Sequence, residues 1–137
     1  MYNDYFFISQ LSGSQEVPPV RTDADGLALF HVSSDQKKII YRLAVHDLRN
    51  MTQAHIHLGQ RNINGPIVAF LFGPIDHGTS TNNKVIEGIL TAKDLVGPLM
   101  GKPLSELVDL MSAGKTYVNV HTTQFPDGEI RGKIKQQ

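Results

Sequence analysis

Ala54-His55-Ile56-His57-Leu58-Gly59 alternates apolar and imidazole side chains over five residues before a glycine. Alternation of period two is the mark of a half-buried strand, so His55 and His57 share one face while Ala54, Ile56 and Leu58 share the other. Two imidazoles placed this way stand about 6.6 Å apart along the backbone, close enough to bend towards one ion. The pattern returns in Tyr117-Val118-Asn119-Val120-His121, where Val118 and Val120 take one face and Asn119 and His121 the other. Three of the six histidines therefore lie opposite the apolar stripe of an expected strand.

Working outward, the same period predicts further strands at 5–11, 27–32, 39–46, 67–72, 85–90, 116–122 and 128–134. Ile39, Tyr41, Leu43 and Val45 give the clearest inward stripe, whereas Ile67–Phe72 is apolar throughout and reads as a strand covered on both faces. Gln15–Val20 carries two prolines and reads as an extended edge or loop. One helical insertion is expected near 92–113. Thr91 and Asp94 have capping-box spacing, Pro103 suits a first helical turn, and Leu104, Leu107, Val108 and Met111 follow an i, i+3, i+4, i+7 stripe ended by Gly114. Pro126-Asp127-Gly128 should turn the last two strands into a hairpin. Short strands with regular turns and a single helix predict an all-β antiparallel sandwich or barrel, with residues 1–137 forming one domain.

Composition removes several functions. Thirteen basic and thirteen acidic residues leave no net charge, which argues against capture of nucleic acid or anionic membrane. Zero cysteines exclude disulfides, thiolate metal ligands and a cysteine nucleophile. No apolar run is long enough for membrane insertion, and Met1–Ile8 lacks the basic and apolar regions of an export signal. There is no nucleophile elbow, phosphate loop or paired-carboxylate signature, so no catalytic residue is assigned.

Leu11-Ser-Gly-Ser-Gln-Glu-Val-Pro-Pro-Val20, the 54–59 stretch, Gly65-Pro66, Gly88-Ile-Leu-Thr91, Tyr117–Thr122 and Pro126-Asp-Gly-Glu-Ile-Arg-Gly132 together resemble the CHRD (chordin-type) domain, in its stand-alone bacterial form, from about Phe6 to Ile134. The resemblance implies an all-β domain of mostly exported proteins, and it brings no settled reaction. His55-Ile56-His57 and Val120-His121 also resemble, locally, the copper ligands on the outer face of the copper/zinc superoxide dismutase barrel. That likeness implies a Greek-key, superoxide-dismutase-like barrel. It lacks the cysteine pair and a bridging histidine, and offers only Asp76 and His77 as stand-ins for a zinc cluster and Arg131 as an anion guide.

The site expected from these readings is a mononuclear Cu(II) or Zn(II) centre of His55, His57 and His121, with Asn119 or Glu129 fixing the imidazole tautomers and His77 as an accessory ligand. Against it stands the plain reading of polar residues on a sheet face, hydrogen-bonded to their neighbours. Glu129 and Arg131, two apart on one strand face, read as an exposed ion pair, and Glu16 as a structural residue held by Arg131 or by backbone donors. The function that fits is a non-catalytic module that binds a protein or surface ligand of unknown identity, with a metal attached. The alternative is a redox metalloprotein with dismutase-like chemistry.

Overall fold

A computed structural model describes residues 5–60, 62–79 and 82–137. Met1–Asp4, part of the start read above as lacking an export signal, lie outside the described residues. The strands are β1 (Tyr5–Ser12), β2 (Asp25–Val32), β3 (Ile39–His46), β4 (Met51–Leu58), β5 (Ile67–Phe72), β6 (Lys84–Leu90), β7 (Thr116–Thr122) and β8 (Ile130–Gln136), with one helix, α1 (Leu104–Ser112). They form one sheet in the order β5-β4-β7-β8-β1-β2-β3-β6, antiparallel at every pairing. The sheet curls until its two edge strands touch, giving a nearly closed barrel.

Alternation decides which side chains fill it. Phe7, Leu11, Phe30, Tyr41, Leu43, Ile56, Val118, Val120 and Ile134 all point inward and are buried in one apolar cluster. At the seam between β5 and β6, the Tyr41 hydroxyl donates a 2.6 Å hydrogen bond to the Leu71 carbonyl. It crosses Gly88 of β6, where even a Cβ would collide with the phenol. Beside it, Leu95 bridges to Ala69 and the Val96 N–H donates to the Val68 carbonyl, so the free edge of β5 is partly covered. Edges handled this way do not invite further strands.

The helix buries Leu104, Leu107, Val108 and Met111 as the stripe requires. Pro103 sits one position earlier than expected, as an extended cap (φ −67°, ψ 151°) before the first turn. Gly114, at φ +73°, ends the helix in the left-handed region open to glycine. Thr91 and Asp94 do pair, the Thr91 N–H donating to Asp94 Oδ2 at 2.8 Å. Two other expectations change. The last strand runs two residues later, because Gly128 and Glu129 complete the turn: the Gly128 N–H reaches the Phe125 carbonyl and the Glu129 N–H the Val120 carbonyl. β5 is an edge strand with only one face in the core, which leaves Phe70 39% exposed.

Candidate metal centre

Ala54 and Ile56 fill the barrel, and that commits His55 and His57 to its outer face. The β4–β7 register sets Gln53 opposite His121, His55 opposite Asn119 and His57 opposite Tyr117. Neighbouring strands therefore carry His55 within 4.8 Å of His121 and 5.4 Å of His57, centroid to centroid. Although they face outward, His55 is 1% and His57 8% exposed. The chain after β4 folds back over them, with the Leu58 N–H on the Pro66 carbonyl and the Gly59 N–H on the Lys115 carbonyl.

Each ring has at least one nitrogen engaged by an oxygen, and His57 has both. His55 Nε2–H donates to Gln53 Oε1 (2.8 Å), His57 Nδ1–H to the Gly65 carbonyl (2.8 Å) and His121 Nδ1–H to the Pro126 carbonyl (2.6 Å). The Gly65 and Pro126 backbone carbonyls can only accept, so neutral His57 and His121 are drawn to carry their proton on Nδ1. With the Gln53 amide oxygen facing it, neutral His55 carries its proton on Nε2 and Nδ1 is left as a lone pair. Of the ring nitrogens, His55 Nδ1 and His121 Nε2 are buried with no hydrogen-bond partner. His57 Nε2 faces the Asn119 amide, its Oδ1 2.8 Å away. A neutral ring has one proton for these two contacts; rotating the amide end for end would offer Nε2 a donor instead. One ligand atom from each histidine lies within 4.8 Å of the others.

The surroundings keep the rings neutral. Burial first, then the neighbouring His121 and His57, push the His55 imidazole down to about 3, against a smaller upward pull from Asn119. His57 is lowered by burial, opposed by its Gly65 and Asn119 hydrogen bonds. His121 is lowered by burial too, with the Pro126 carbonyl and Asp127 acting the other way. Neutral imidazole is the form that ligates metal.

Around this trio, Phe70 packs edge-on to His55 at 4.8 Å and Tyr117 stacks on His57. The Arg131 guanidinium lies 3.5 Å from the Tyr117 ring centroid and donates to Asn64 Oδ1, the Gln60 carbonyl and the Ile63 carbonyl, pinning the loop that covers the site. The exposed pair expected of Glu129 and Arg131 is not found: they are 6% and 4% exposed and serve different partners. Glu129 accepts from Thr22 (2.5 Å) and Thr122 (2.9 Å), closing the end of the hairpin on the β1–β2 connection. Glu16 is 5% exposed, and its Oε2 has no hydrogen-bond partner. Burial raises its carboxyl to about 7 despite the attraction of Arg131. Gly128, at φ +120°, makes room for it, since a Cβ there would lie 2.5 Å from Glu16 Oε2 and 2.9 Å from Asn119 Nδ2. Asp76 and His77 are exposed in the β5–β6 loop, and neither belongs to the cluster.

Sequence reasoning missed Gln53, Gly65, Pro126 and Tyr117 as supports. Tyr117 had a signal, sharing the face of Asn119 and His121. Backbone carbonyls such as those of Gly65 and Pro126 carry no signal in residue type.

With the geometry in place, a family model described as the CHRD domain matches residues 7–134. The chain belongs to the CHRD family. No curated protein matches it. In this CHRD domain five of the six family-like phrases converge on one side of the barrel, while Gly88-Ile-Leu-Thr91 belongs to β6 and the turn after it. Glu16 comes from the first, His55 and His57 from the second, Gly65 from the third, and Asn119, His121, Gly128 and Arg131 from the last two.

Proposed function

We propose that this CHRD domain is a non-catalytic binding module that holds one Cu(II) or Zn(II) ion through His55, His57 and His121. The observation that carries the reading is the pair of buried, unpartnered nitrogens, His55 Nδ1 and His121 Nε2, within a trio of histidines whose ligand atoms, one from each, lie within 4.8 Å of one another. A buried polar atom left unsatisfied costs about 1–3 kcal/mol, so two of them need a reason that hydrogen bonding to sheet neighbours does not supply. An ion accepts all three lone pairs at once. Three neutral imidazoles suit both metals, and Asn119 or water can complete the coordination. Enclosure beneath Phe70 and the Asn62–Pro66 loop favours holding the ion over turning over a substrate, and the protein or surface ligand would bind elsewhere on the barrel.

The strand order also supports a finer fold. With the β5–β6 contact counted as a step, β3-β6-β5-β4 and β6-β5-β4-β7 are each Greek keys, which fits a superoxide-dismutase-like barrel with ligands on its outer face. Dismutase-like redox chemistry is the second reading. Arg131 does not serve it as an anion guide, because its guanidinium is buried against loop carbonyls.

Calorimetric titration of untagged protein with Cu(II) and with Zn(II) tests the proposal. One equivalent should bind, and the His55→Ala/His57→Ala/His121→Ala triple variant should lose at least a hundredfold in affinity. Equal binding by the two proteins would leave the histidines as structure. A superoxide assay on the copper-loaded form then separates the two readings.

A further inference from the structure

Away from the histidine strands, the outer face of β1, β2, β3 and β6 is rich in exposed apolar side chains. Phe6, Leu27, Leu29, Ile40, Val85 and Ile89 are each 37–57% exposed. On β3 and β6 the pairing register aligns them in rows: Ile40 beside Ile89, Arg42 beside Glu87, and Ala44 beside Val85. The middle row holds one positive and one negative side chain, a pair with N···O of 3.8 Å and both members largely exposed.

We infer that the domain pairs with a second copy of itself through the outer face of β3 and β6, about a two-fold axis parallel to the strands and midway between them. Two-fold symmetry demands a self-complementary patch, and this axis is the one that makes it so. It lays each β3 on the partner's β6 at the same level. Ile40 then meets Ile89 of the second copy, Ala44 meets Val85, and Arg42 meets Glu87 twice over. An axis perpendicular to the strands would set Arg42 on Arg42. An axis between β2 and β3 would set Glu87 over Ile8. With only Leu27 and Leu29 flanking the three rows, the patch is small, and the pairing belongs among weak associations near the lower bound of about 1,000 Å² for a specific interface. The two barrels pack sheet on sheet, and the histidine strands β4 and β7, two and three positions beyond β6 round the barrel, stay outside the paired face.

Sedimentation equilibrium between about 10 and 500 μM, where an interface of this size associates, tests the pairing. The wild-type chain of 15.2 kDa should approach twice that mass at the upper end. Arg42→Glu and Glu87→Arg should each be monomeric, because each sets like charges against each other in its own pair. Mixed in equal amounts they should form a heterodimer, since both cross-copy contacts become attractive again. That rescue does not follow from a merely sticky surface. Circular dichroism on each variant confirms that the exposed substitutions leave the barrel folded. A wild-type protein that stays monomeric throughout, or a mixture that does, overturns the inference, as does a dimer indifferent to both substitutions.

Discussion

His57 and Tyr117 lie ring on ring, 4.8 Å between centroids and 6° from parallel, and both are tied to Gly65. The Gly65 carbonyl accepts from His57 Nδ1–H, and the Gly65 N–H donates to the Tyr117 hydroxyl at 3.0 Å. A Cβ on Gly65 would run into the Leu58 carbonyl, so the peptide that orients His57 can approach only as glycine. Tyr117→Phe keeps the stack and removes the acceptor. Stability should fall by about 1 kcal/mol. Metal affinity should fall about tenfold, as for loss of other groups that orient a ligand. Denaturant unfolding and calorimetry on one preparation would check both.

Acid should release the metal later than ordinary histidines allow. Protons compete with the ion for the same lone pairs, but burial holds His55, His57 and His121 below their usual range, His55 at about 3. Affinity should therefore stay nearly level from pH 8 through 6.5 and decline only below that. Titrations at pH 7.5, 6.5 and 5.5 should give nearly equal constants at the first two. In the apo protein the same shifts are stabilising above the unfolded-state value near 6.5. That contribution drains away as the pH falls towards 3, because only the unfolded chain takes up the protons.

Glu16 has the opposite sign. Its folded carboxyl is raised from 4.5 to about 7, so its contribution to stability is complete below 4.5 and is lost as the pH rises through 7. Glu16→Gln keeps the shape without the ionisation. Relative to wild type, its melting temperature should gain a few degrees between pH 5 and pH 9. A difference that does not change with pH would mean that Glu16 is already ionised in the folded protein at pH 5.

At the seam, Tyr41→Phe leaves the Leu71 carbonyl without its donor. The expected loss is about 1–3 kcal/mol, the cost of a buried acceptor left unpaired. Tyr41→Ala should cost about 3–5 kcal/mol, because a cavity opens as well. Urea unfolding midpoints rank the two.

Much of the barrel was legible because strands announce their faces. Ile39, Tyr41, Leu43 and Val45 gave β3, and the parity of His55, His57 and His121 put them on one side of β4 and β7. The stripe from Leu104 to Met111 gave the helix. What local pattern could not carry was anything made by distant chain. Met51 enters the core because the β4 ladder slips between Met51 and Gln53, which reverses parity without changing residue type. Glu129 and Arg131 read as solvent-facing because their cover comes from the β1–β2 connection and the loop after β4. The exposed side of Phe70 follows from β5 lying at the seam, a fact of strand order alone.

β4 and β7 each carry two jobs on alternate residues: Ala54, Ile56, Val118 and Val120 hold the barrel together, while His55, His57, Asn119 and His121 face its outer surface. Substituting one set leaves the other nearly untouched. A lineage or an engineer can thus retune or erase the proposed ligand set, one imidazole at a time, on a scaffold whose interior is left in place. The same wall could be given a different coordination chemistry without inventing a new fold.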